Sequence, residues 1–94
     1  MNKQYGFNKD TFKELDMLVP IVERVHGAHH PEFFEVSKVY KDIKEKMDTE
    51  KSLDTEFEKL RNITENYKVP GDVCETYEKI YKVLEELNNL YESK

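Results

Sequence analysis

The chain has 94 residues, the length of one small domain, and 37% of them are apolar, which suffices for a single core. Twenty acidic and fifteen basic residues give a net charge of −5, with the two signs interspersed. That balance argues against binding to nucleic-acid phosphates or to an anionic membrane surface. No apolar run approaches the roughly 18 uncharged residues of a membrane span, so we expect neither nucleic acid nor a membrane as a partner.

Cys74 is the only cysteine, so no internal disulfide can form. The residues before Tyr5 have neither the apolar stretch of a signal peptide nor a basic transit leader. We therefore expect a cytoplasmic protein. Its single domain is expected to span residues 1–94, with residues 1–8 loosely ordered.

The first predicted helix is marked by apolar residues that step by three and four positions, a spacing typical of one helix face. These positions are Phe12, Leu15, Val19 and Val22, and His26 continues the row. Asn8 or Asp10 is the predicted N-cap. Pro20 lies inside the pattern and is expected to kink or split the helix, because it lacks an N–H group and clashes with the preceding turn.

The second predicted helix opens at Pro31, a residue that favours the first helical position because it has no N–H group to satisfy. Its apolar face consists of Val36, Tyr40, Ile43 and Met47. The same face would continue to positions 50 and 54, which are acidic, so the phase of the pattern changes there. This change predicts a turn over residues 48–52.

Two further helices follow this turn. The third carries Leu53, Phe57, Leu60 and Ile63, and its predicted N-cap is Asp54 or Thr55, since Thr55 to Glu58 has the form of a capping box. The fourth begins near Asp72 and has the most regular pattern in the chain. Its apolar positions are Val73, Tyr77, Ile80, Leu84, Leu87 and Tyr91.

Four amphipathic helices with short connections predict an all-α, up-down four-helix bundle. The predicted core consists of Phe12, Leu15, Val19, Val22, Val36, Tyr40, Ile43, Phe57, Leu60, Tyr77, Ile80, Leu84 and Leu87. The alternative fuses the second and third helices into one long rod, and dimerisation then completes the bundle. In the bundle, the end of the last helix is expected to expose an apolar patch of Leu87, Leu90 and Tyr91 for a protein partner or a second copy.

All three histidines lie between residues 26 and 30, at the first interhelical junction. Clustered imidazoles beside Glu32 and Glu35 are candidate ligands for zinc or iron. The structural alternative is that His26 closes a helix next to Gly27 and that the other two precede the proline-initiated helix. Cys74 is expected to be a buried, small apolar residue. The sequence offers no nucleophile with a matching base and no phosphate loop, so we do not expect an enzyme.

Three segments resemble the hemerythrin-like di-iron proteins that repair iron–sulfur clusters under nitrosative and oxidative stress. Residues 25–32 resemble that family's V-H-G-x-x-H-P-E stretch. Residues 60–64 and 67–70 are similar to its L-R-x-[IL]-T-x-x-Y-x-x-P, and residues 72–77 to its D-A-C-x-T-[YF]. The three motifs occur in the family's order over most of the chain. The resemblance implies a hemerythrin-like four-helix bundle.

The resemblance also implies metal ligands at His26 and His30, and at Glu50 if residues 46–50 correspond to the family's H-M-x-x-E motif. The remaining ligands do not carry over: Tyr5 stands where the family has its first histidine, and the chain stops at Lys94, where the family reads H-I-H-L-E-N. Glu50 is expected about 30 Å from His30 along the second helix, at about 1.5 Å per residue. One chain is therefore not expected to bring all three ligands together.

These departures predict a shortened relative that acts as a metal-poor helical interaction or regulatory module in the stress response. No cofactor is expected. The alternative is a mononuclear or subunit-bridged iron or zinc site that contributes to iron–sulfur cluster repair.

Overall fold

A computed structural model describes residues 9–46 and 52–92, which form four helices. These are α1 (Lys9–His26), α2 (Glu32–Lys46), α3 (Asp54–Ile63) and α4 (Glu75–Glu92). No strand occurs in these two ranges. Within them, no helix combines the length and the apolar character that crossing a membrane would require. The predicted all-helical class is confirmed, and the arrangement is consistent with a four-helix bundle.

The helices pack around one core. α1 packs on both α2 and α4, and α3 packs on α2. Every residue of the predicted core is buried, and the core also contains Phe33, Val39, Leu53, Tyr67 and Tyr81. The helical spacing of the apolar residues was therefore sufficient to identify the buried face of each helix.

The long-rod alternative is wrong, because α2 ends at Lys46 and a separate helix begins at Asp54. Ser52 and Leu53 are not helical. Residues 47–51, where most of the predicted turn falls, lie outside the described residues. The change of phase in the apolar pattern correctly indicated that two helices occupy this stretch.

The start of α3 differs from the predicted capping box. Leu53 holds the N-cap position and provides no side-chain cap. Its N–H group donates a hydrogen bond of 3.0 Å to the Tyr91 hydroxyl, and the Asp54 N–H group donates to Ser52 Oγ at 3.1 Å. The expectation of Asp54 or Thr55 as the cap was wrong because Leu53 is buried in the core, and its burial sets where the helix begins.

Pro20 does not split α1, which runs without a break from Lys9 to His26. The residue is exposed. Asp10 lies in the first turn of the helix instead of capping it, and Asn8 lies outside the described residues. The expectation of a split was wrong, since burial of the opposite face of α1 is enough to hold both halves in one helix.

The expected apolar patch at the end of α4 is also wrong. Leu87 is buried, and the Tyr91 ring packs on Phe57 with 5.2 Å between ring centroids. The Tyr91 hydroxyl donates to Asp54 Oδ1 at 2.7 Å. Of the three residues only Leu90 is exposed, at 43%. The start of α3 therefore covers the end of α4.

Replacing Leu84 with alanine should lower the free energy of unfolding by about 2–5 kcal/mol, because the side chain is fully buried in the core. Leu90→Ala on the same helix is the matched control, and it should cost clearly less because Leu90 is partly exposed. Chemical denaturation measures both changes. Equal losses for the two variants would contradict the assignment of the buried face of α4.

Candidate functional site

Two of the three sequence motifs, residues 25–32 and residues 72–77, meet at one end of the bundle around the buried ring of Tyr77. This residue lies in the first turns of α4 and is fully buried. The ring of His26, the last residue of α1, lies 5.5 Å from it between centroids, and the ring of His30 lies 5.6 Å from it. The plane of the His26 ring is nearly perpendicular to that of Tyr77, at 87°, and the plane of the His30 ring is inclined to it by 64°. We call His26, His30, Glu32, Asp72, Cys74 and Tyr77 the histidine junction.

Gly27 allows the chain to turn tightly between the two histidines. Its N–H group donates to the carbonyl oxygen of Glu23 at 3.1 Å, which ends α1. A Cβ atom at this position would collide with that same carbonyl oxygen, and would lie 2.5 Å from the Phe34 ring. The close approach of the Glu23 backbone carbonyl oxygen therefore favours a residue without a side chain at this position.

His30 bridges two connections of the fold. Its Nδ1 lies 3.0 Å from Glu32 Oε2, and its Nε2 lies 3.0 Å from Asp72 Oδ1. A carboxylate only accepts hydrogen bonds, so both contacts exist together only when both ring nitrogens carry a proton. Burial lowers the pKa of His30, but the hydrogen bonds to Glu32 and Asp72 outweigh it, so that the pKa is raised overall. The His30 ring links the α1–α2 connection to the connection before α4.

His26 and Cys74 form a second pair, with 3.2 Å between Nε2 and Sγ. Cys74 is exposed, so the expectation of a buried apolar residue was wrong. The reason is that α4 begins at Glu75, three residues later than expected from Asp72, which leaves Cys74 just before the helix. Its carbonyl oxygen accepts the Glu78 N–H group at 3.1 Å. The pair places a thiol beside an imidazole. The sequence did not indicate this contact, because the two residues are 48 positions apart.

A buried aromatic cluster of Tyr77, Tyr81 and Phe33 packs beneath the two histidines, on the core side of the junction. The Tyr77 and Tyr81 hydroxyls are 3.1 Å apart, and the Phe33 ring lies 5.2 Å from Tyr77. Burial raises the pKa of both tyrosines, which keeps them neutral around physiological pH. The cluster fixes the ring against which both histidines pack.

The described part of the junction does not fit a resident metal centre. Both nitrogens of His30 already contact carboxylates, and residues 9–46 and 52–92 contain no group of three or more His, Cys, Asp or Glu placed to hold an ion. Glu50, the third predicted ligand, lies outside the described residues. The ligand set of His26, His30 and Glu50 therefore stays a prediction.

Sequence reasoning missed Asp72 as the partner of His30. The two residues are 42 positions apart, and no local pattern relates them. The sequence did indicate Glu32 as a neighbour of the histidines. The resemblance to a family marked residues 72–77 as a motif without indicating that the motif packs against the histidines.

Comparison of the chain with protein-family models, with curated proteins and with solved structures finds no match in any of the three.

Raising the pH should remove the stabilisation that His30 provides. A raised pKa in the folded state means that the contribution is fully present below the unfolded-state pKa of about 6.5 and is lost as the pH rises through the folded-state value. The free energy of unfolding, measured from about pH 5 to about pH 8, should therefore fall more steeply in the parent protein than in His30→Gln. Asp72→Asn should show an intermediate slope. An unchanged slope in His30→Gln would contradict the bridge.

Titration with zinc or ferrous iron tests the metal prediction separately. We expect the imidazole NMR signals of His26 and His30 to stay in place at millimolar metal, because the contacts to Cys74, Glu32 and Asp72 compete with an ion. His29, which is exposed, provides an internal reference for non-specific binding. Saturable shifts of His26 and His30 that leave His29 unmoved would instead support a metal site.

Proposed function

We propose that this chain is a metal-poor helical interaction module whose outer α1 face binds an acidic amphipathic helix of another protein. The observation that carries the proposal is a row of exposed apolar side chains on α1: Met17 is 67% exposed, Ile21 43% and Val25 62%. We call these three residues the α1 row. As part of the same proposal, the chain is a shortened hemerythrin-like relative that acts in the stress response, an assignment supported by its three motifs and its four helices.

The α1 row follows the spacing of a binding face. Its members are four residues apart, so they line up along the helix axis. They lie on the side away from the buried residues Phe12, Leu15, Val19 and Val22. Contiguous exposed apolar side chains mark candidate interaction surfaces, and the α1 row supports such a surface on α1.

Charge favours an acidic partner. Lys13 and Arg24 are both exposed and take part in no ion pair within the described chain. Being eleven residues apart, they fall within about 20° of each other around a helix of 3.6 residues per turn, on one edge of the α1 row. Glu14 lies within the angular range of the α1 row, between Ile21 and Val25 around the helix axis, and is already paired with Lys79. A helix with acidic residues along one edge of its apolar face would meet these two cations.

A second copy of the chain suits this face poorly. A symmetric antiparallel pairing of two α1 helices brings the same edge of each together in opposite directions, so Lys13 of one copy would lie on the same edge as Arg24 of the other. Like charges at such distances are destabilising. This repulsion favours a different chain over a second copy as the partner.

The test uses two synthetic amphipathic helical peptides with the same leucine face. The glutamate peptide carries glutamate along the edges of that face, and the lysine peptide carries lysine there. The glutamate peptide should shift the amide NMR signals along α1 and bind at least about tenfold more tightly than the lysine peptide, a difference of about 1.4 kcal/mol. Ile21→Ser should weaken binding of the glutamate peptide about tenfold, because it removes the central apolar contact.

Leu90→Ser is the matched control, since Leu90 on α4 is 43% exposed, the same fraction as Ile21. This variant should bind the glutamate peptide like the parent protein. Arg24→Glu should reduce the preference for glutamate over lysine. Equal binding of the two peptides, or an equal effect of the two serine variants, would overturn the proposal.

A further inference from the structure

A cavity of about 430 Å³ opens at the same end of the bundle as the histidine junction, on the side away from α1. It lies between the start of α2, the connection that follows α3, and the middle of α4. Ile63, Pro70 and Tyr81 supply apolar walls, and Glu32, Glu65 and Lys68 supply charge. The volume falls within the range of sites for small organic molecules, and mixed walls of this kind fix the orientation of a ligand.

The rim of this cavity is held in a strained conformation. Glu65, Asn66 and Tyr67 have φ values of 53°, 66° and 65°, so three consecutive residues other than glycine adopt the left-handed region. Each such residue is strained relative to an ordinary conformation, because its Cβ atom lies too close to the following carbonyl oxygen. Strain of this kind persists only where the surroundings impose it, and it is concentrated at ligand-binding segments.

Hydrogen bonds from three sides impose this conformation. Thr64 Oγ1 donates to the Leu60 carbonyl oxygen and accepts the Tyr67 N–H group, both at 2.7 Å. The Asn66 N–H group donates to the Arg61 carbonyl oxygen at 2.7 Å, and the Tyr67 hydroxyl donates to Asn88 Oδ1 at 2.8 Å. The rim is therefore formed before any ligand arrives, which reduces the entropy lost on binding.

The charges on the rim are opposite in sign and unpaired. Glu65 and Lys68 both line the cavity and are exposed, yet within the described chain neither forms an ion pair with the other or with a further residue. A half-buried carboxylate, Glu32, also lines the cavity, and its Oε2 is hydrogen-bonded to His30. A ligand that carries both charges could meet Glu65 and Lys68 at once, which neither a simple cation nor a simple anion can do.

From this arrangement we propose that the cavity binds a small zwitterion of the amino-acid type. The ammonium group of the ligand pairs with Glu65 at the end of the cavity nearer Glu32. The carboxylate of the ligand pairs with Lys68. An apolar side chain packs against Ile63 and Pro70. This site is separate from the α1 row and does not depend on the proposed function.

The experiment follows the amide NMR signals of the full chain during titration with L-leucine and with its two half-molecules. Isopentylamine keeps the ammonium and the apolar body, and 4-methylpentanoate keeps the carboxylate and the apolar body. Leucine should shift the signals of residues 63–70 and bind at least tenfold more tightly than either half-molecule. The amine and the acid should each bind weakly, because each leaves one rim charge unpaired.

Two variants distinguish the contributions of the two rim charges to binding. Both replace exposed side chains. Lys68→Gln should weaken leucine binding about tenfold and leave binding of isopentylamine unchanged. Glu65→Gln should weaken both leucine and isopentylamine. Glu58→Gln removes an exposed carboxylate of α3 outside the cavity and should change neither.

Three results would overturn the zwitterion site. These are an absence of saturable shifts at residues 63–70, similar affinity for leucine and its half-molecules, and an equal effect of Glu58→Gln and Glu65→Gln. Binding of the glutamate peptide to α1 would be unaffected by any of them, so the two proposals fail separately.

Discussion

The packing of His26 and His30 on the buried ring of Tyr77 is the interaction on which the rest of the structure depends. It joins the end of α1, the start of α2 and the start of α4 in one cluster. With the ring fixed, His30 reaches Glu32 and Asp72 on either side. Tyr77 also contacts Tyr81, whose far side forms a wall of the cavity. The histidines thus organise the end of the bundle that carries the proposed ligand site.

The two proposed binding surfaces use residues that the core does not need. The α1 row lies on the outside of a helix whose other face is buried, and the cavity rim is a connection held by its own hydrogen bonds. Substitutions at Ile21 or Lys68 can therefore change binding without removing a core side chain. In the proposed binding module, stability resides in the buried faces, and the proposed specificity resides in exposed charges and apolar groups.

Much of the fold follows from the sequence, because burial of an apolar face at helical spacing leaves few alternatives. The core positions and the separation of α2 from α3 were both predictable in this way. The cap of α3 was not, because burial of Leu53 overrides the local preference for Asp54 or Thr55. The left-handed turn at residues 65–67 was also unpredictable, since none of its residues is a glycine. The bridge from His30 to Asp72 depends on tertiary packing, which no local pattern records.

The proposed function is tested most directly by intermolecular nuclear Overhauser effects between the methyl groups of the protein and a leucine-faced peptide with glutamate edges. We expect contacts from the methyl groups of Met17, Ile21 and Val25 to the leucines of the peptide, and none from Leu90, which is as exposed as Ile21. Contacts that involve Leu90 equally, or that avoid α1 altogether, would contradict the assignment of the outer α1 face as the interaction surface.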